Sequence, residues 1–115
     1  MEESCIFCQI IAGERPGEVV HQDDRVVAIR DRNPQAPTHI LVLPREHMES
    51  LNDVAQSDEA LLGYLMRVVS KIANQMNVAD DGYRVVINTG PNAGQSVYHL
   101  HVHLLGGRPM RWPPG

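Results

Sequence analysis

Residues 99 to 105 read His99-Leu100-His101-Val102-His103-Leu104-Leu105. A strict period of two is the period of a β-strand, in which successive side chains leave on opposite faces. In such a strand the imidazoles share one face and Leu100, Val102 and Leu104 share the other. The aliphatic face demands a core, so the chain must contain a sheet that is covered on at least one side. Threonine, serine or lysine would serve a merely solvated outer face as well as histidine does, so a row of imidazoles points to chemistry. Two chemistries fit at this stage. A neutral imidazole near pH 7 is a nucleophile and a proton carrier, and alternating histidines can also converge on a zinc ion that keeps an open position for hydrolysis.

The rest of the chain supplies the partners for that strand. Ile6, Phe7, Ile10 and Ile11 are spaced for one face of a short helix, stopped by Gly13 and Pro16. Segments 18–21 and 25–31 are rich in Val and Ile and flank the polar turn Gln22-Asp23-Asp24, which predicts a β-hairpin. The prolines of Asn33-Pro34-Gln35-Ala36-Pro37 forbid a helix or a central strand there. A third strand follows over 39–43 and closes at Pro44. Leu61, Leu62, Leu65, Val68, Val69, Ile72 and Met76 then form an i, i+3, i+4 stripe, with Ser57 as the expected N-cap and Asp58 and Glu59 set to favour the helix dipole. Gly82 releases the chain into a fourth strand over 83–87, and the histidine segment, taken as 97–105, is the fifth. Helices set among antiparallel strands without regular β-α-β alternation predict an α+β fold, a five-stranded antiparallel sheet with one long helix and a short N-terminal helix. At 115 residues one domain, 1–115, is expected. The tail Arg108 to Gly115, with Trp112 and a Pro-Pro pair, is too apolar for a plain solvated end and is expected to pack on something, a second subunit being one candidate.

Charge narrows the partners. A net charge of -4, with arginines scattered along the chain, argues against the clustered basic footprint that nucleic acid requires. No apolar run approaches the roughly 20 residues needed to cross a bilayer, and Met1-Glu2-Glu3 is the opposite of a basic leader, so a cytoplasmic protein without membrane partners is expected. Cys5 and Cys8 are the chain's thiols, in a C-x-x-C spacing that reads in a reducing compartment as metal-binding or redox-active before it reads as a structural disulfide. No β-α-β pattern surrounds them, which disfavours the redox reading.

What precedes the histidine strand sharpens its reading. Gly90, Gly94 and Ser96 belong to a glycine-containing turn whose backbone N–H groups can approach an anion closely, with the Ser96 hydroxyl and the Asn88 amide as further donors. A phosphate cradle beside imidazoles suggests attack on phosphorus.

The H-L-H-V-H-L-L motif, the Gly94-Gln95-Ser96 stretch before it, Asp31 with Pro34-Gln35-Ala36-Pro37-Thr38-His39, and the ending Arg111-Trp112-Pro113-Pro114-Gly115 together resemble the histidine triad nucleotide-binding proteins over nearly the whole chain. The tail is similar to the branch that hydrolyses purine nucleoside phosphoramidates. The resemblance implies a homodimer whose sheets join into one continuous sheet. It makes His101 the nucleophile of a covalent nucleotidyl-histidine intermediate, His103 the residue that contacts phosphate and helps protonate the leaving nitrogen, and His39 a member of the same proton network. It gives Asp31 the ribose hydroxyls, assigns Asn88, Gly94, Gln95 and Ser96 to the nucleotide's phosphate, and makes Ile6, Phe7, Ile10, Ile29 and Leu41 the wall of a purine slot. Arg32 stands where members of this branch often carry an aliphatic residue against the base. Cys5, Cys8, His47 and His99 match the structural zinc ligands of a subset of the family, while catalysis itself would require no cofactor. Rival readings are hydrolysis of dinucleoside polyphosphates, a nucleotide-binding or scaffolding module with vestigial turnover, and a catalytic zinc hydrolase.

Overall fold

The structure, a computed structural model, describes residues 4–115. It contains the short helix α1 (Ile6–Ile11), strands β1 (Val19–Gln22), β2 (Val26–Arg30) and β3 (Thr38–Pro44), the long helix α2 (Glu59–Gln75), and strands β4 (Tyr83–Val86) and β5 (Val102–Gly106). The strands form one antiparallel sheet in the order β1-β2-β3-β5-β4, which matches the predicted α+β class. Both faces are covered, and the alternation along the strands divides their side chains between two cores. Val26, Ala28, Ile40, Val42, Leu100, Val102 and Leu104 pack under α2 against Leu65, Val68, Val69 and Ile72. Val27, Ile29, Leu41 and Leu43 point the other way, toward Phe7 of α1.

The β1–β2 turn is organised by Asp23, whose Oδ1 accepts from the amides of Arg25 and Val26 at 2.8 and 2.9 Å. Its Oδ2 accepts from the Tyr64 hydroxyl of α2 and lies 2.8 Å from His21 Nε2. Burial works against that charge, but the Tyr64, backbone and His21 hydrogen bonds prevail and hold the carboxyl well below the usual carboxylate range.

Most expected boundaries shift by a residue, and two of the differences have a physical reason. The long helix begins at Glu59 and not after a Ser57 cap, because Gln56–Asp58 first make a 3-10 turn in which Asp58 accepts from the Ala55 amide at 2.9 Å. The fifth strand begins at Val102 and not at Val97. Its ladder with β3 stops at Val42↔Val102 because the next hydrogen-bonding position belongs to Pro44, which has no N–H to give. The Leu100 amide turns instead to Met48 O at 2.7 Å, and Pro44 O takes the ring Nε2 of His99 at 2.8 Å. His99 and His101 therefore stand just outside the ladder, while Leu100, Val102 and Leu104 still share the α2 core.

Candidate active site

Between α1 and the sheet lies a cleft of about 620 Å³. Ile6, Phe7, Ile10, Ile29 and Leu41 form its apolar wall, and Asp31, Ser96, His101 and His103 give it polar groups. Alternation explains the wall: Ile29 and Leu41 face each other across the β2–β3 register, and Leu41 is opposite His103 on β5. The segment 15–18, with Arg30 and Arg32, completes the rim. Sequence reasoning missed this rim apart from Arg32, since nothing in Arg15-Pro16-Gly17-Glu18 alone says that it returns over α1. One trace was there: a Cβ on Gly17 would stand 2.7 Å from Ile10 Cγ2, so the glycine lets the return run close to the helix. Arg30 and Glu18 pair across it at 2.6 Å.

The imidazoles are held one by one. His101 is buried, its Nδ1 donates to His99 O at 2.8 Å, and its ring meets Phe7 edge-on at 5.1 Å. With Nδ1 committed as donor, the neutral ring keeps its lone pair on Nε2. Burial pushes the His101 pKa down despite the raising effects of the His99 carbonyl and of Asp31, so the ring is held in its nucleophilic form. Burial, then the neighbouring His101 and His39, bring His103 down to about 4, with Asp31 opposing. His39 Nε2 and His103 Nδ1 are 2.9 Å apart, and Asp31 Oδ2 lies 3.4 Å from the same His39 nitrogen. His39 is also lowered, by burial against the pull of Asp31.

The glycine loop sits differently from its sequence-based reading. Gly90 and Gly94, at φ +82° and +77°, bracket a 3-10 turn over Pro91–Ala93. Ser96 reaches the cleft, whereas Asn88, Gly94 and Gln95 are not among the residues lining it. The buried Gln95 side chain is engaged with backbone: Oε1 accepts from the Gly90 amide at 3.0 Å, and Nε2 donates to Glu49 O at 2.7 Å and Val97 O at 3.1 Å. These bonds brace the loop whose last residue enters the cleft.

Cys5, Cys8, His47 and His99 converge behind Phe7. Cys5 Sγ and Cys8 Sγ lie 3.4 and 3.5 Å from His99 Nδ1, and Cys8 Sγ lies 3.4 Å from His47 Nδ1. A zinc tetrahedron with Zn–S of about 2.3 Å and Zn–N of about 2.0 Å has S···N edges of about 3.5 Å, which is the observed spacing. The tautomer agrees, since His99 Nε2 donates to Pro44 O and leaves its lone pair on Nδ1, facing the thiols. This donor set fits zinc.

Residues 12–110 match the HIT domain family. The chain is 51% identical over 110 residues to the purine nucleoside phosphoramidase of Escherichia coli (strain K12), covering 96% of this chain and 92% of that protein. It is 54% identical over 113 residues to the 14 kDa zinc-binding protein of Zea mays, covering 96% and 87%. Among solved structures, a HIT family hydrolase from Legionella pneumophila Philadelphia 1 superposes with a TM-score of 0.96 at 46% identity, covering 97% of this chain and all of that one. The chain belongs to the HIT domain family, as its histidine motif predicted.

Proposed function

We propose that this protein hydrolyses purine nucleoside phosphoramidates through a nucleotidyl-histidine intermediate. The observation that carries the reading is that His101, whose Nδ1–H is committed to His99 O so that its lone pair is left on Nε2, lines the cleft that also contains Asp31, Ser96, His103 and an apolar slot. The 51% identity to a phosphoramidase supports it. A purine fits between Phe7, Ile10, Ile29 and Leu41, and Asp31 accepts from the vicinal hydroxyls of the ribose. His101 Nε2 attacks phosphorus, the phosphorus–nitrogen bond breaks, and the amine departs after taking a proton. Water then cleaves the phosphorus–histidine bond, giving nucleoside monophosphate and free His101. Splitting one displacement into two lowers each barrier, and the Ser96 hydroxyl and the His103 ring hold the charge that develops on the phosphoryl oxygens. Gly94, by its positive φ, and Gln95, by its bonds to the backbone, set the Ser96 loop.

Cys5, Cys8, His47 and His99 hold a structural zinc in this reading, which fastens α1 to the sheet. The protein works as a homodimer paired along β4, a sheet edge whose Tyr83 and Val85 are exposed.

Rapid quenching during turnover of an adenosine phosphoramidate, followed by peptide mass spectrometry, is expected to find adenosine monophosphate on His101. His101→Ala should reduce kcat by at least about 10³. Turnover without a trace of adduct would overturn the covalent route, and a large preference for diadenosine tetraphosphate would overturn the substrate class.

A further inference from the structure

Both ring nitrogens of His39 are engaged, and their partners leave one arrangement of hydrogens. The backbone N–H of Gln35 approaches Nδ1 at 3.0 Å. An amide can only donate, so Nδ1 must offer a lone pair. On the other side Asp31 Oδ2 stands 3.4 Å from Nε2, and a carboxylate oxygen accepts, so Nε2 must bear the hydrogen. We infer that the Gln35 amide locks His39 as the neutral Nε2–H tautomer and thereby makes His103 a donor toward the cleft, so that Gln35 and His39 are positioning residues. His39 Nε2–H donates to His103 Nδ1 across 2.9 Å, and the neutral His103 ring must then carry its own hydrogen on Nε2. That is the nitrogen left for a phosphoryl oxygen or the departing amine.

The wire runs one way. A proton given up by His103 cannot be replaced through His39, because its Nδ1 is held by the Gln35 peptide amide, which has no proton to pass on. His39 therefore aims His103 and does not feed it protons. The same tautomer disqualifies Asp31, His39 and His103 as a cation site, although their ligand atoms lie within 4.8 Å of one another, since the His39 nitrogen concerned has no lone pair to give. The loop that presents the amide is itself fixed. Gln35 Nε2 donates to Asn33 O at 3.0 Å and Arg108 Nε donates to Gln35 O at 3.0 Å. Pro37 packs so close to Gly107, at φ +90°, that a Cβ there would stand 2.9 Å from Pro37 Cβ.

The lock stands on hydrogen-bond geometry alone, while its consequence for turnover rests on the phosphoramidase reading. Long-range proton–nitrogen spectra of the histidine rings in the whole, ligand-free protein at neutral pH test the first. His39 and His103 should each show a pyridine-type Nδ1 and a pyrrole-type Nε2, and His101 the reverse. His103 protonated on Nδ1, or His39 averaging between tautomers, would overturn the lock whether or not the protein turns anything over. Two substitutions test the consequence. His39→Gln places an N–H donor where Nε2 was, and should keep His103 in its tautomer with kcat within about tenfold. His39→Glu places an acceptor there, and should reverse His103 and lower kcat on the order of 10²-fold with KM little changed. Equal losses in the two variants, or full activity in the glutamate variant, would refute the positioning role. The expected spectra without phosphoramidate turnover would refute the activity and leave the lock in place.

Discussion

Burial is the largest influence on His103, His101 and His39 act in the same direction, and Asp31 opposes them. Its pKa falls from 6.5 to about 4 on folding, so the unfolded chain binds the proton more readily. The sign follows from linkage: stability is complete above pH 6.5 and drains away as pH falls from there toward about 4, with a slope of up to about 1.4 kcal/mol per pH unit from this one group. His39, lowered as well, adds to the same limb. The urea midpoint should therefore drop between pH 6.5 and 4, and His103→Gln should flatten the curve. A midpoint unchanged over that range would contradict the burial of these rings. The loss assigned to Asp23 begins lower, below its unfolded value of 3.8, and so separates from it. At this scale the sequence was eloquent about side chains and silent about backbone. The alternation of His99, His101 and His103 with aliphatics announced a bank of imidazoles. That His39 would be oriented by the Gln35 amide had no letter to announce it, because every residue except proline carries that group.

Among the elements, α1 depends most on its surroundings. Its residues Ile6–Ile11 are too few to hold a helix unaided. One side of it supplies Phe7 to the cleft wall, and Cys5 and Cys8 at its start reach His47 and His99. A structural zinc would therefore fasten the wall of the cleft as well as the helix. Purified protein should contain about one zinc per chain by plasma mass spectrometry, and Cys8→Ser should lose it and lower Tm by roughly 8 °C, the equivalent of about 2 kcal/mol in a domain of this size. Metal-free protein with an unaltered Tm in the variant would end this reading. The long helix and all five strands could be located from sequence patterning, but their ends could not. Ser57 looked like a cap by residue type, whereas the 3-10 turn before Glu59 was decided by the Asp58 carboxylate reaching back to Ala55. The glycine loop was recognisable from Gly90 and Gly94, yet Gln95 turned inward because Glu49 O and Val97 O, distant or unmarked in sequence, needed a donor.

For the molecule as a whole, the two sheet edges differ. β1 and β4 are equally short, but the register of β1 slips between Val19 and His21, a device that discourages further pairing. β4 is regular and leaves Tyr83 and Val85 partly bare, while α2 lies over β3 and β5. Trp112, 81% exposed, stands in the expected apolar tail with Arg84 of β4 6.0 Å from its ring, and Arg84 Nη1 donates to Arg111 O at 2.9 Å. An edge and a tail that share these residues suit a second copy. Light scattering should give twice the chain mass of 12.8 kDa for the protein, and Val85→Lys with Tyr83→Lys should return it to one chain's mass. A native mass of a single chain would dismiss the pairing. The sheet class was predictable from patterning, but which edge stays open was not, since it depends on how far α2 extends sideways over the strands.

Pro44 has an influence out of proportion to its size. Its ring removes one hydrogen from the ladder, and with the Leu100 amide turned to Met48 O its carbonyl takes the proton of an imidazole rather than that of a neighbouring strand. An N–H at that position would offer a rung to the Leu100 carbonyl, and drawing residue 100 into the ladder would set its amide in competition for the same oxygen. The imidazole at 99 would then be free to swap its proton between nitrogens, and a soft cation approaching the thiols would find its fourth ligand only part of the time. A pyrrolidine in one strand thus decides which nitrogen of a distant ring is available to bind.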